Sequence, residues 1–206
     1  MGRRWHRVAW LAAGGLAWLA SVGWGFFLLE DHRATPGAIG SPPDRWPSQS
    51  AIAPEPGVPN LVVLAHPQCP CTRASIAELA RLMARCPGKL AAHVVFIQPE
   101  GLEQAAGQSD IWRSAEAIPG VRVVADPEGL ETARFGAATS GLALLFDEHG
   151  TLRYRGGITG SRGHEGANPG RDAVVDLARS GRSDRDRMPV FGCPLFNPPT
   201  GQPEGP

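Results

Sequence analysis

The 206-residue chain carries no excess of charge of either sign, since 20 Lys and Arg are balanced by 20 Asp and Glu. A protein that neutralises nucleic-acid phosphates has a clear basic surplus, so no nucleic-acid partner is expected. Cysteine is scarce: four are too few for a miniprotein framed by disulfides, and each must be placed individually. There is no internal repeat. Gly156-Gly157 and the run GSRGHEG are glycine-rich, but no P-loop, dinucleotide fingerprint, HExxH motif or Ser-His-Asp elbow occurs. What is plentiful is glycine (26) and proline (20), which predicts that part of the chain is linker rather than core. Tryptophan is unevenly spread, with Trp5, Trp10, Trp18 and Trp24 in the first 24 residues.

Those first residues read as a membrane signal. Residues 1–7 form a basic end with Arg3, Arg4 and Arg7, and Val8 to Leu29 then runs 22 residues without a charge before Glu30-Asp31. A helix of that length spans about 33 Å, enough for a hydrocarbon core of about 30 Å. Basic residues before the span and acidic ones after it predict a cytoplasmic N-terminus and an extracytoplasmic C-terminus. A cleaved signal peptide is the alternative, but its apolar region is usually about 7–15 residues long. Phe26-Phe27-Leu28-Leu29 leads poorly into a cleavage site, so residues 8–29 are assigned as an uncleaved single-pass anchor in a bacterial inner membrane.

Composition divides the rest. Residues 30–59 hold seven prolines and read as an extended spacer. In residues 60–182 the apolar pattern becomes regular and acids and bases cancel at thirteen each, enough chain for a sizeable core. Residues 183–206 carry six more prolines and read as an irregular tail. Within the domain, Leu61 to Ala65 is a wholly apolar run expected of a strand covered on both faces. Thr72 to Arg85 has Ile76, Leu79, Ala80 and Met83 at helical spacing and stops at Pro87-Gly88. Strands are predicted at 92–98 and 121–125, helices at 109–118, 128–135 and 172–179, and a hairpin at 142–146 and 152–155. This alternation predicts an α/β fold, a mixed central sheet with helices on both faces.

The chemistry concentrates in His66-Pro67-Gln68-Cys69-Pro70-Cys71, which joins the first strand to the first domain helix. In open α/β sheets, sites form at the carboxyl ends of strands. If Pro70 is the first helical residue, Cys69 is the N-cap, facing unpaired N–H groups and the positive end of the helix dipole. Both favour the thiolate, so Cys69 is expected to attack and Cys71 to resolve. A disulfide closed over one residue is a tight, oxidising ring.

Element order and motif together resemble the thioredoxin fold, and in particular RedB-like membrane-anchored bacterial redoxins. The resemblance is carried by HPQCPCTRASIAEL, by GLALLFDEHGTLRYRGGITGSRGHEG and by MPVFGCPLF, and covers about Leu61 to Leu195. It implies a thiol–disulfide oxidoreductase acting on exported protein thiols or disulfides without a cofactor. Thioredoxins have two residues between their cysteines, and a cis-proline before the fourth strand where this chain has Ala138-Thr139-Ser140-Gly141. That departure opens a copper alternative, because thiolates with histidines select soft metals. Cys69, Cys71, His66 and His164 are the candidate ligands, and the arrangement is similar to Sco-type copper chaperones. A non-catalytic envelope adaptor is a third reading. Peroxiredoxins place Thr or Ser three residues before the attacking Cys, whereas His66 and Gln68 stand there. Cys86 is expected to be a buried inert thiol, or else to pair with Cys193 and tie the tail to the domain.

Overall fold

A computed structural model of the chain describes residues 2–98 and 109–196. Met1 and residues 197–206 of the predicted tail lie outside the described residues. The chain divides into two compact units, residues 1–35 and 36–206. The first is a single helix, α1 (Gly2–Ala34), whose stretch Trp5–Ala34 is long and apolar enough to cross a membrane. It therefore runs past the uncharged segment, through Glu30 and Asp31. His32 and Arg33 in its last turn complement the negative end of the helix dipole.

In the second unit the order is β1 (Asn60–Ala65), α2 (Pro70–Arg85), β2 (Ala91–Gln98), α3 (Asp110–Glu116), β3 (Val121–Pro127), α4 (Leu130–Arg134), β4 (Leu142–Phe146), β5 (Leu152–Gly157) and α5 (Pro169–Ser180). The five strands form one sheet in the order β3-β2-β1-β4-β5. β1, β2 and β3 run parallel, while β4 lies antiparallel to β1 and β5 antiparallel to β4. β1 is central and every residue of it is buried. Successive side chains of a strand point to opposite faces, so its apolar run divides between two cores. Leu61, Val63 and Ala65 join Val94, Phe96, Ala143 and Leu145 on one face, under α2, α3 and α5. Val62 and Leu64 join Val95, Leu142, Leu144 and Phe146 on the other.

That second face corrects the expected spacer and tail. The short helix α4 and Phe135 cover part of it, and chain outside residues 60–182 covers the rest: Ile39, Trp46 and Ile52 from one side, Val190 and Leu195 from the other. Trp46 packs edge-on against Phe135 and Phe146, with ring centroids 5.2 and 5.1 Å away, and its indole N–H donates to the Ile52 carbonyl. Isolated bridges join Gly37 to Val190, Gly40 to Ala137 and Arg45 to Thr151. Residues 36–59 are thus packed structure. Their prolines interrupt hydrogen-bonded ladders, but Ile52 is buried and Ile39 and Trp46 pack half-buried against the core.

Candidate functional site

The site grows from the turn between β1 and α2. The Cys69 N–H donates to the His66 carbonyl, closing a turn that ends at Pro70, the first helical residue. Cys69 is the N-cap, with extended backbone angles (φ −76°, ψ 120°). Beneath the turn lies a small hydroxyl network. The His66 N–H donates to Ser140 Oγ at 2.9 Å, Thr72 Oγ1 donates to the His66 carbonyl at 3.0 Å, and the two hydroxyls share a 3.0 Å bond. Ser140 belongs to the stretch just before β4, where Gly141 holds φ +89°, a left-handed conformation that suits glycine. The Gly141 N–H donates to the Leu64 carbonyl, locking this stretch beside the end of β1.

A third thiol reaches the motif from the C-terminal segment. Cys193 Sγ lies 2.9 Å from Cys69 Sγ, and the two free thiols are hydrogen-bonded. Its backbone is held against the stretch before β4: the Ser140 N–H donates to the Cys193 carbonyl at 2.8 Å, and the Leu195 N–H to the Ala138 carbonyl at 2.9 Å. The expected alternative of a Cys86–Cys193 tie is therefore corrected. Cys86 is the C-cap of α2, fully buried in the helix-covered core. The 16 residues of that helix, about 24 Å at 1.5 Å each, separate it from Cys69, beside which Cys193 lies.

The three thiols differ in charge preference. Burial of Cys69 opposes ionisation, but the hydrogen bond from the Cys193 thiol and the backbone N–H groups of Cys193, Cys71 and Thr72 outweigh it, so its pKa is lowered. The sulfur makes no regular capping bond; the helix start acts through the nearby N–H groups. Burial raises Cys71, and the Cys69 charge adds to the rise. Cys193 is raised by burial, then by its bond to Cys69 and by the neighbouring charges. Arg162 opposes the rise at both Cys71 and Cys193. This arginine sits in the loop after β5 and donates to the Gly192 carbonyl.

The same loop meets the thiols through Arg162 and the Gly163 backbone. His164 is exposed, its ring lying against Gly160 and Gly166. His66 is part of the turn: its Nδ1 accepts from the Gln68 N–H at 3.2 Å, and burial lowers its pKa. Among the described residues no three His, Cys, Asp or Glu side chains are grouped so that they would hold a metal ion. The four candidate ligands are thus not gathered into one such group.

The strand order and the position of the cysteine turn decide the architecture. The chain has the thioredoxin fold. No family model matches it, and no curated protein matches it. Solved structures do. A conserved protein from Geobacillus kaustophilus superposes with a TM-score of 0.57 at 18% identity, over 82% of this chain and 95% of that one. A hypothetical protein from Sinorhizobium meliloti 1021 gives 0.56 at 18% identity, over 79% and 96%. StoA from Bacillus subtilis gives 0.47 at 13% identity, over 71% and 99%. At 18% identity the first two likenesses establish a shared fold. Within that thioredoxin fold, the roles of Ser140, Thr72 and Arg162 were not foreseen, and Cys86, the alternative partner offered for Cys193, is instead the buried thiol first expected. The available signal was MPVFGCPLF, whose density of bulky apolar residues is unusual in an irregular tail.

Proposed function

We propose that this chain is a membrane-anchored, extracytoplasmic thiol–disulfide oxidoreductase whose attacking group is Cys69. One observation carries the reading: a helix N-cap thiol with a lowered pKa that has a second thiol at 2.9 Å. The thiolate is the reactive form, and the paired thiol allows a mixed disulfide to be released rather than trapped. In the reducing direction, the Cys69 thiolate attacks a disulfide of an exported protein. One partner sulfur joins Cys69, the other leaves as a thiolate, and a second thiol of the cluster then displaces the bound sulfur. The apolar helix α1 serves as the anchor, with the basic residues before the span on the cytoplasmic side and the domain outside. Two measurements test this. The chain should catalyse reduction of insulin by dithiothreitol, and Cys69 should be alkylated at pH values where an ordinary thiol is still protonated. Retention of full insulin-reducing activity by Cys69→Ser would refute the assignment.

A further inference from the structure

We propose that Cys193 is the thiol that resolves mixed disulfides at Cys69, so that the redox centre is a Cys69–Cys193 pair and not the Cys69–Cys71 pair of the local motif. The inference rests on the oxidoreductase reading above and specifies which sulfur completes it.

The placement of Cys193 is built into the fold from several sides. Its own carbonyl and the Leu195 N–H bond to the stretch 138–140, and the Val190 carbonyl accepts from the Gly37 N–H at 2.8 Å. Val190 and Leu195 are buried in the second core. Gly192, directly before the cysteine, passes so close to Ser140 that a Cβ there would sit 1.9 Å from its carbonyl oxygen. Cys71, the second residue of α2, also reaches Cys69 with its thiol, but only across a single intervening residue at the helix start. Disulfide geometry is narrow, so closing Cys69 to Cys71 would distort the first turn. Cys69 and Cys193 already meet with both segments in place.

The electrostatics also order the steps. With Cys69 ionised, the Cys193 thiol is the hydrogen-bond donor to it and keeps its proton. Once Cys69 is consumed in a mixed disulfide, its charge and hydrogen bond no longer raise Cys193, and Arg162 works against what burial still imposes. Written out, the Cys69 thiolate attacks R–S–S–R′, the partner bond breaks, Cys69–S–S–R forms and R′–S⁻ leaves. Cys193 then releases its proton and attacks the Cys69 sulfur; the Cys69–Cys193 bond forms and R–S⁻ leaves. The partner disulfide has gained two electrons, and the two cysteines have lost them. Of the two protons the leaving thiolates take up, one comes from Cys193 and one from solvent. A dithiol reductant, dithiothreitol in vitro, returns the pair to its starting state.

The test uses the full chain in detergent micelles, reduced, exposed to oxidised glutathione, acid-quenched, alkylated and digested with trypsin. Cleavage after Arg73 and Arg187 puts Cys69 and Cys71 on one peptide and Cys193 on another, so the linkage is read directly by mass. The cross-linked peptide pair is expected in the wild type and in Cys71→Ser. Cys193→Ser should accumulate glutathione on Cys69 and lose at least tenfold in dithiothreitol-coupled insulin reduction. Gly192→Ala, which keeps every thiol but pushes the segment off Ser140, should slow cross-link formation tenfold or more. A Cys69–Cys71 disulfide in the wild type, with Cys193→Ser turning over normally, would overturn the proposal and leave the oxidoreductase reading standing. Absence of any mixed disulfide at Cys69, together with no insulin reduction, would overturn that reading and the inference with it.

Discussion

Glu78 offers the most demanding test of how the site is held. It lies in α2 two turns beyond Cys71, and its carboxylate is fully buried. It accepts from the Gly166 N–H at 2.8 Å and from Asn168 Nδ2 at 3.3 Å, and it pairs with Arg171 at 2.5 Å and with Arg81. Helix α2, the loop after β5 and the start of α5 therefore meet on one carboxylate. In Glu78→Ala, Arg171 would keep its charge, with a side chain only 13% exposed, and lose that carboxylate. The Gly166 and Asn168 donors would lose their acceptor as well. Breaking a buried pair from one side costs about 3–5 kcal/mol. The half-exposed Arg81 adds about 0–1 kcal/mol. Glu78→Gln keeps an acceptor but loses the charge, and should cost about 1.5–3 kcal/mol. Urea unfolding of residues 36–206 would measure both. The only tryptophans left in that unit are Trp46 and Trp112, which report on the two cores separately. A loss below about 1 kcal/mol for Glu78→Ala would refute the argument, because it would mean that Arg171 finds another partner at little cost.

Two further outcomes are expected. His93 is buried beside Asn60, and burial, assisted by Arg122, pushes its pKa down to about 4. The unfolded chain binds that proton near pH 6.5 and the folded one only near 4. Stability should therefore be complete above pH 6.5 and decline by about 3 kcal/mol as pH falls to 4. His93→Gln should flatten that slope in a pH series of melts; an unchanged slope would remove His93 as its cause. Trp46→Ala should cost about 2–4 kcal/mol, read by urea unfolding through Trp112, because it removes the ring that packs on both Phe135 and Phe146. Unaltered stability would mean that residues 36–59 are a spacer after all.

The sheet was legible because each strand announced itself locally. Leu61 to Ala65 is an uninterrupted apolar run, and Asp147 to Gly150 marks a turn, which the structure closes by Asp147 accepting from the N–H groups of His149 and Thr151. The Pro70 start of α2 was equally readable, because proline's fixed φ suits the first helical turn. Both ends of the domain were misread for a single physical reason. Proline density signals the absence of ladders, and it was taken to signal the absence of core. Ile39, Trp46, Ile52, Val190 and Leu195 stand among those prolines and point inward, joined to the domain by single bridges instead of ladders. The partner of Cys193 was beyond local reading, since 124 residues separate it from Cys69. Glu78 carries no local signal of its role, because its partners come from the loop after β5 and from α5 as well as from the next helical turn.

The site therefore has two halves that are held by different means. Cys69 depends on a local turn: Pro70 sets the helix start, the His66 and Thr72 bonds fix the loop, and the helix N-terminus favours the thiolate. Cys193 depends on the fold as a whole, because its segment is sandwiched between the stretch 138–140 and the residues around Gly37, and its apolar neighbours complete the second core. A perturbation of that covering face should leave the reactivity of Cys69 nearly intact while it removes the second sulfur. Loss of packing and loss of resolution should then rise together across substitutions at Trp46, Val190 and Leu195. Substitutions of similar cost in the helix-covered core, at Ile111 or Ala115, should lower stability without separating the two sulfurs, because the segment that carries Cys193 meets that core only at its start, through the partly buried Met188.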